Sequence, residues 1–175
     1  MSLPKIIDIE TLQGGAPVTI TAAKQDFAAL AKRIGVLEVL SFSATFKAES
    51  DGPGITRLNG KLEARLMQEC ARTLEPLKTN VEDAFSLLLM NSDMADTFLE
   101  NQEEDGLEDI EILEGDMADL GEIAIQYLSL AIDRFPVKKG AVLEPGNESI
   151  KVLSEDQDRE EKKPVAALKD LNKKG

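Results

Sequence analysis

The sequence predicts an α+β fold: a twisted, mainly antiparallel sheet with long hairpin strands, two amphipathic helices and a disordered C-terminal tail. The two-residue alternation of apolar and polar side chains that is typical of strands recurs in three long stretches: 36–49, 58–70 and 77–90. Residues 22–34 and 119–133 instead place apolar side chains at helical spacing. Residues 143–175 are mostly polar and charged, so they bury too little apolar surface to offset the entropy cost of ordering.

The N-terminal region is predicted to supply two short strands and the first helix. Lys5–Glu10 has the composition of a short edge strand, and Ala16–Thr21 follows a pair of turn-forming glycines as a second one. Thr21 has the side chain of a helix N-cap, and Gly35 stands where a helix commonly ends in a left-handed residue. A helix from about Ala22 to Ile34 is therefore expected.

The first two long stretches are predicted to form an antiparallel hairpin. Between them, Asp51-Gly52-Pro53-Gly54 is dense in turn-forming residues. Each arm of roughly 12 residues, at ~3.3 Å per residue, would reach about 40 Å. Strands of this length twist, coil or contain bulges, and Gly60 is the predicted position of a bulge or bend.

A sharp corner is predicted at Thr73-Leu74-Glu75-Pro76, where the proline interrupts any ladder and disfavours the helical region for the residue before it. The third long strand, Leu77–Met90, comes directly after this corner. Near its end, the apolar residues Leu88 and Met90 fall on the face of the strand opposite to the one that the other apolar positions share. This end of the strand is therefore expected to be covered on both faces or to pair with a partner.

Residues 91–122 contain thirteen Asp and Glu and no Lys or Arg, so this acidic segment accounts for the whole net charge of −13. Such a block repels phosphates and attracts basic partners. Two interpretations stay open: a solvated loop that keeps the protein soluble, or a docking surface for a basic protein. We expect residues 91–107 to be mostly loop, with at most one helical turn, and Glu108–Leu113 to be a short strand.

The last predicted element is an amphipathic helix from Asp119 to about Asp133, stopped by Pro136. Asp119 and Glu122 have the spacing of a capping box, with aspartate in place of the usual Ser or Thr. The apolar positions behind them recur at helical spacing: Leu120, Ile123, Ala124, Tyr127, Leu128 and Ala131.

Length and composition predict one domain over residues 1–142, which contains the acidic segment, and a flexible charged tail over residues 143–175. A single cysteine excludes an internal disulfide and favours a reducing compartment. No apolar run approaches the ~20 residues of a membrane span, and the N-terminus lacks the apolar run of a signal peptide. The expectation is a soluble cytoplasmic protein.

The residue types present argue against catalysis, and we predict no catalytic residue, no metal and no cofactor. The chain has no histidine, the commonest general base and the commonest metal ligand in proteins. One cysteine is too few for a structural zinc site, and no phosphate-binding loop, dinucleotide turn or G-x-S-x-G elbow is present. An enzyme is not expected.

Three corner residues have competing interpretations. Cys70 lies on the apolar parity and is interpreted as a packed core thiol, with a partner contact or a redox role as the alternatives. Gln68 shares that parity, so its amide needs partners, which are expected to be backbone groups of the corner. Glu75 is expected to bond backbone donors or to pair with Arg72 or Arg65, or else to contact a partner.

Several motifs resemble the YceD-like family, whose members are called large ribosomal RNA subunit accumulation proteins. The resemblance spans about residues 15–142, and the motifs that carry it occur in this order: Phe27 to Val36, Gly60-x-Leu62-x-Ala64, Gln68-x-Cys70-x-x-Thr73-Leu74-Glu75-Pro76, Asp119-Leu120-Gly121-Glu122, and Leu128-x-Leu130-Ala131-Ile132-Asp133-x-Phe135-Pro136. The flanking motifs are similar to those of the alphaproteobacterial branch. Some relatives have further cysteines around this corner, but here Thr73 occupies the second position of a possible Cys-x-x-Cys, so a shared metal is not implied for this chain.

The resemblance implies a non-enzymatic factor in ribosome biogenesis that supports the synthesis, processing or stability of large-subunit ribosomal RNA. Two candidate binding regions are expected to reach a basic ribosomal protein or assembly factor. The corner region is Gln68, Cys70, Arg72, Thr73, Glu75 and Pro76, and the acidic region is Glu103, Glu104, Asp105, Glu108, Asp109 and Glu111.

Contact with ribosomal RNA is expected to be indirect, because Lys61 and Arg65 share the polar face of their strand with Glu63 and Glu69. The protein is expected to be a monomer or a weak dimer. The alternative function is a regulatory protein-binding module that uses an open sheet edge and is unrelated to ribosomes.

Overall fold

The computed structural model of the protein describes residues 5–100 and 109–141, and it confirms the predicted α+β fold with a mainly antiparallel sheet. The predicted tail over residues 143–175 and four of the acidic candidates (Glu103, Glu104, Asp105 and Glu108) lie outside the described residues. The elements are β1 (Ile6–Asp8), α1 (Ile9–Gln13), β2 (Val18–Thr21), α2 (Phe27–Ile34), β3 (Glu38–Gly52), β4 (Ile55–Glu69), β5 (Pro76–Asn91), α3 (Ser92–Glu100), β6 (Ile110–Leu113), β7 (Met117–Asp119) and α4 (Leu120–Ala131).

Five strands form the main sheet in the order β2-β3-β4-β5-β6. The pairs from β2 to β5 are antiparallel, as the hairpin pattern predicts, whereas β6 runs parallel to the end of β5. The strands β1 and β7 form a separate antiparallel pair. The long strands β3, β4 and β5 contain 15, 15 and 16 residues, so they make up most of this sheet.

The bulges of the long hairpin do not occur at Gly60, so the prediction of a bulge at this residue was wrong. The register between β3 and β4 shifts between Val39 and Ser41 and again between Ser50 and Gly52. The first shift makes Leu40 an extra residue, and consequently Val39, not Leu40, packs in the core.

Gly60 sits in regular pairing between Phe46 of β3 and Phe85 of β5. A Cβ atom at this position would overlap the ring of Phe85. The glycine therefore allows the close approach of an aromatic ring, which is a common reason for a glycine inside a strand.

One face of the sheet carries the main core, packed under α1, α2 and α4. Alternate residues of β4 from Thr56 to Gln68 are buried, as the period-two pattern predicts. The two longer helices on this face are joined by the guanidinium of Arg33, which bonds both carboxylate oxygens of Glu122. That pair lowers the pKa of Glu122, chiefly through the hydrogen bond from Arg33.

The end of β5 is covered on both faces, which confirms one of the two expectations for this strand. Leu87 and Leu89 belong to the main core, while Leu88 and Met90 pack with Ala95 in a second cluster under α3. The helix α3 corrects the prediction that residues 91–107 are mostly loop. Its first turn is closed by the Asn91 side chain, whose Oδ1 accepts a hydrogen bond from the Met94 N–H at 3.0 Å.

The N-terminal region differs from its prediction in two places. Lys5–Glu10 contains a strand of only three residues, because Asp8 Oδ1 accepts from the Thr11 N–H at 3.1 Å and starts the helix α1. Thr21 does not cap α2, since it pairs with Ser43 of β3. A 3₁₀ turn at Lys24–Asp26 follows, and α2 begins only at Phe27 and ends at the left-handed Gly35, as predicted.

The helix α4 begins where its capping pattern predicts. The Oδ1 atom of Asp119 accepts hydrogen bonds from the N–H groups of Gly121 and Glu122 at 3.0 and 3.1 Å. The helix ends at Ala131, two residues earlier than expected, and the chain then runs through Pro136 to Ala141 in an irregular C-terminal strap of residues 132–141.

Candidate functional site

The corner between β4 and β5 consists of Cys70 to Glu75 and is closed by its own backbone. The N–H of Cys70 donates to the Glu75 carbonyl, and the N–H of Leu74 donates to the Cys70 carbonyl, both at 2.9 Å. The C-terminal strap reaches the same place, because the N–H of Ala71 donates to the Pro136 carbonyl at 2.9 Å. The corner is therefore built from two segments that are far apart in the sequence.

Gln68 fastens the strap to the sheet. It is 7% exposed, and its Nε2 donates to the Asp133 carbonyl at 2.8 Å while its Oε1 accepts from the Thr79 hydroxyl at 2.6 Å. The expectation that a buried amide finds partners is met, but the partners lie in the strap just after α4 and on β5. They are not the backbone groups of the corner, which bond one another.

Cys70 is fully buried, in agreement with its interpretation as a core thiol. Its Sγ accepts a hydrogen bond from the Lys138 N–H at 3.4 Å. This N–H, together with the Thr73 hydroxyl and the N–H groups of Thr73 and Arg72, lowers the pKa of the thiol to about 6, whereas desolvation acts in the opposite direction. A thiol inaccessible to solvent cannot meet a substrate, so we assign Cys70 a structural role at the corner.

The remaining corner side chains hold the strap or face solvent. Glu75 pairs with Lys138, at 3.1 Å between Oε2 and Nζ, and not with Arg72 or Arg65 as predicted. Arg72 donates from Nη1 to the Ala141 carbonyl at 3.0 Å. The Thr73 hydroxyl oxygen is buried and makes no hydrogen bond of ordinary geometry, although it lies near enough to the thiol to influence its pKa. Pro76 is exposed and begins β5.

Leu74 is the strained residue of the corner. Its φ of 57° lies in the left-handed region, which a residue with a Cβ atom adopts only at a cost in free energy. Its side chain is also 68% exposed, so burial does not repay that cost. A strained and exposed apolar residue in the middle of the corner is a candidate partner contact.

Replacing Leu74 with glycine is expected to raise the free energy of unfolding by about 0.5–1 kcal/mol, because glycine adopts positive φ without steric cost. Urea denaturation measures this change. The variant Leu74→Ala is the matched control, since it removes the exposed side chain but keeps the strained backbone. Equal stabilisation by both substitutions would show that the exposed side chain, and not φ, is responsible.

Of the acidic candidates, Asp109 and Glu111 are described, and both are engaged by the fold. The Tyr127 hydroxyl donates to Asp109 Oδ2 at 2.8 Å, and the Tyr127 ring stacks on Phe85 with 3.8 Å between ring centroids. Burial, followed by repulsion from Glu122, raises the pKa of Glu111, which is only partly exposed. Asp109 therefore links the acidic segment to α4 through Tyr127, whereas Glu111 lies partly buried close to the like charge of Glu122.

The two candidate regions lie at opposite ends of β5. The corner precedes Pro76, the first residue of β5, and the described part of the acidic segment begins at Asn91, the last of the sixteen residues of this strand. At ~3.3 Å per residue the strand is roughly 50 Å long. Among the described residues, the corner and the start of the acidic segment at Asn91 are therefore separated by the full length of β5.

The face of the sheet opposite the main core is polar over most of its length. Along β4, this face carries four exposed charged residues: Lys61, Glu63, Arg65 and Glu69. Charges of both signs along one strand produce no basic stripe, which is what binding to a nucleic-acid backbone requires.

The outer edge of β5 is open near the corner. The strand β6 pairs only with Leu88–Asn91, so among the described residues no strand covers the outer edge from Leu77 to Leu87. This is the kind of edge that the alternative function, a strand-binding module, requires.

Within residues 5–100 and 109–141, no three His, Cys, Asp or Glu side chains gather closely enough to hold a metal ion. The expected absence of a metal, a cofactor and a catalytic residue stays a prediction. Among the described helices, none is both long and apolar enough to cross a membrane.

Comparison with family models gives one match, to the family described as large ribosomal RNA subunit accumulation protein YceD, over residues 58–172. This range covers more than half of the 175 residues. The chain belongs to the YceD family. A comparison with curated proteins finds no significant match, and a comparison with solved structures finds none either.

The YceD match begins in β4 and extends beyond Ala141, so it includes the corner, the acidic segment, α4 and the strap. It differs in extent from the resemblance seen in the sequence, because residues 1–57 lie outside it and most of the predicted tail lies inside it. The YceD name implies a role in the accumulation of large-subunit ribosomal RNA, and it describes an accumulation factor, not a known enzyme.

Sequence reasoning about this YceD protein missed the partners that the strap supplies to the corner. Asp133 contacts Gln68 just before the corner, and the corner itself is contacted by Pro136, Lys138 and Ala141. A signal for the first two was present, because Asp133 and Pro136 belong to the last of the motifs that carry the family resemblance. For the other two, nothing in the spacing indicated a contact.

Proposed function

We propose that this YceD-family protein is a cytoplasmic, non-enzymatic factor in ribosome biogenesis that supports the synthesis, processing or stability of large-subunit ribosomal RNA. It acts by holding a basic ribosomal protein or assembly factor with its acidic segment, residues 91–122. The observation that carries the proposal is the acidic segment itself, which contains thirteen carboxylates and no Lys or Arg. The chain that contains it belongs to a family named for the accumulation of large-subunit ribosomal RNA.

The fold itself uses some of these carboxylates, which narrows the docking surface. Asp119 caps α4, Glu122 pairs with Arg33, and Asp109 is bonded by Tyr127. Asp96, Glu114 and Asp116 are exposed. The proposed surface therefore combines these exposed groups with the four acidic candidates in residues 103–108.

The proposal assigns the contact with ribosomal RNA to the bound protein. An acidic surface repels phosphates, and the polar face of β4 carries Lys61 and Arg65 among acidic residues of equal number. A basic ribosomal protein is attracted by the same charges, and the attraction weakens as salt screens it. Binding to the protein partner is consequently expected to be salt-sensitive.

The test is a binding assay with purified large-subunit ribosomal proteins and, separately, with naked large-subunit RNA. The four-amide variant carries Glu103→Gln, Glu104→Gln, Asp105→Asn and Glu108→Gln, which spares the carboxylates that the fold uses. We expect it to lose protein binding by about tenfold or more, in line with a few charge pairs of ~0.5 kcal/mol each.

The matched control is a variant with the same change in net charge on exposed residues of β3 and β4: Glu38→Gln, Glu49→Gln, Glu63→Gln and Glu69→Gln. It should bind the ribosomal proteins as the wild type does. Salt-resistant binding to naked RNA that the four-amide variant retains would contradict the proposal, because the RNA would then be contacted directly elsewhere.

A further inference from the structure

The outward-facing backbone groups of the β5 edge follow from its pairing. The N–H of Leu88 donates to the Asp109 carbonyl on the outer side, at 2.8 Å. No register shift interrupts the pairing of β4 with β5, so the residues of the same parity also point their N–H and C=O groups outward. Near the corner these are Lys78, Asn80 and Glu82.

The accessible part of this edge is short and has a defined end. The N–H of Ala84, the next outward group, is capped by the adjacent Asp83 side chain, whose Oδ1 accepts from it at 2.9 Å. A side chain that satisfies its neighbour's edge group blocks pairing at that point. Leu77–Asp83 is therefore the stretch on which an added strand can pair.

A groove runs beside this stretch on the side of the main core. Its volume is about 470 Å³, and it is lined by β5 from Leu77 to Glu82 and by residues of α4 and the strap. Ala131, Pro136 and Val137 contribute apolar groups to it, and Val137 is 44% exposed. An added strand would place alternate side chains in this groove.

We propose that a second copy of the protein occupies this edge, in a symmetric antiparallel pairing centred on Asn80. Each Asn80 then exchanges backbone hydrogen bonds with Asn80 of the second copy, and Lys78 lies opposite Glu82 of the second copy on both sides of the axis. Thr79 of each copy lies opposite Val81 of the other copy, and both side chains point into the grooves.

Charge complementarity selects this register. A pairing centred on Lys78 or on Glu82 would place two like charges directly opposite one another, which destabilises a sheet. A pairing centred on Val81 would place Lys78 opposite Ala84, whose N–H is already bonded. Of these registers, only the one centred on Asn80 places Lys78 opposite Glu82 of the second copy on both sides of the axis.

Because the paired stretch is short, the dimer is weak and depends on protein concentration. The inference is independent of the proposed function.

The test is sedimentation velocity of the full chain over a range of concentrations, with single charge reversals. Lys78→Glu and Glu82→Lys each replace two attractive pairs by two repulsive ones, so each should weaken dimerisation about tenfold. Mixing the two variants restores opposite charges at both positions, and the mixture should form a heterodimer as readily as the wild type forms its dimer. Lys61→Glu, on the adjacent strand and away from the edge, is the matched control.

A backbone variant separates edge pairing from general charge effects. Asn80→Pro removes an N–H that points away from β4, so the ladder with β4 is kept while the edge loses its central donor. Circular dichroism should show a folded protein, and sedimentation should show a monomer. Dimers that survive Asn80→Pro, or a wild type that is monomeric at all concentrations, would overturn the inference, the latter leaving the edge to an unrelated peptide strand.

Discussion

Replacing Gly60 with alanine is expected to lower the free energy of unfolding by about 3 kcal/mol. The added Cβ would overlap the ring of Phe85, which packs edge-on against Phe46 at 6.0 Å between centroids and face-to-face on Tyr127. Overpacking a filled core commonly costs 1–3 kcal/mol, and here the ring cannot move without disturbing both aromatic neighbours. Urea denaturation and thermal melting measure the loss.

The role of the Phe85 ring is tested by a second substitution, because a shorter side chain at residue 85 makes room for the new methyl group at residue 60. In a Phe85→Leu background, the same Gly60→Ala substitution should cost less by about 1–2 kcal/mol, because neighbouring substitutions couple. If alanine costs the same in both backgrounds, contact with the ring is not the reason for glycine at this position. Tyr127 fluorescence reports whether the aromatic stack has moved.

Replacing Gln68 with leucine is expected to cost about 2 kcal/mol of stability and to loosen the strap. The substitution keeps the volume but leaves the Asp133 carbonyl and the Thr79 hydroxyl without their partner in a partly buried place. Amide hydrogen exchange should accelerate at two N–H groups that join the corner and the strap. The Ala71 N–H donates to the Pro136 carbonyl of the strap, and the Lys138 N–H of the strap donates to Cys70 Sγ.

The control for this substitution is Gln25→Leu, which makes the same chemical change at an exposed position of the 3₁₀ turn. It should change stability by less than about 0.5 kcal/mol. A Gln68→Leu variant that is as stable as the wild type, with unchanged exchange at Lys138, would contradict the assignment of Gln68 as the link between β4 and the strap.

The sequence predicted correctly those elements whose signals lie within a few neighbouring residues. The alternation along β4 matches its buried face residue by residue, and Asp119 caps α4 as its spacing from Glu122 suggested. Both signals are short in range and uninterrupted. The same reasoning placed β5 correctly after the corner, although Pro76 does not interrupt the ladder as predicted, because it is the first residue of β5 and pairs with Glu69.

The features that the sequence did not predict depend on contacts between distant residues. A bulge at Leu40 changes which residue faces the core, and nothing in the alternation marks it. The helix α3 forms in an acidic stretch because Ala95 and its neighbours cover Leu88 and Met90, which is a tertiary effect. Likewise, Glu75 pairs with Lys138 because the strap returns to the corner.

We expect the acidic segment to connect this YceD protein to large-subunit precursors in the cell. Sedimentation of cell lysate through a gradient at low and moderate salt, with detection of the protein in each fraction, measures this association. The wild type and the β3–β4 control variant should comigrate with large-subunit precursors at low salt, and the four-amide variant should remain at the top. Comigration that is unchanged in the four-amide variant, or a wild type that stays at the top at both salt concentrations, would contradict the claim.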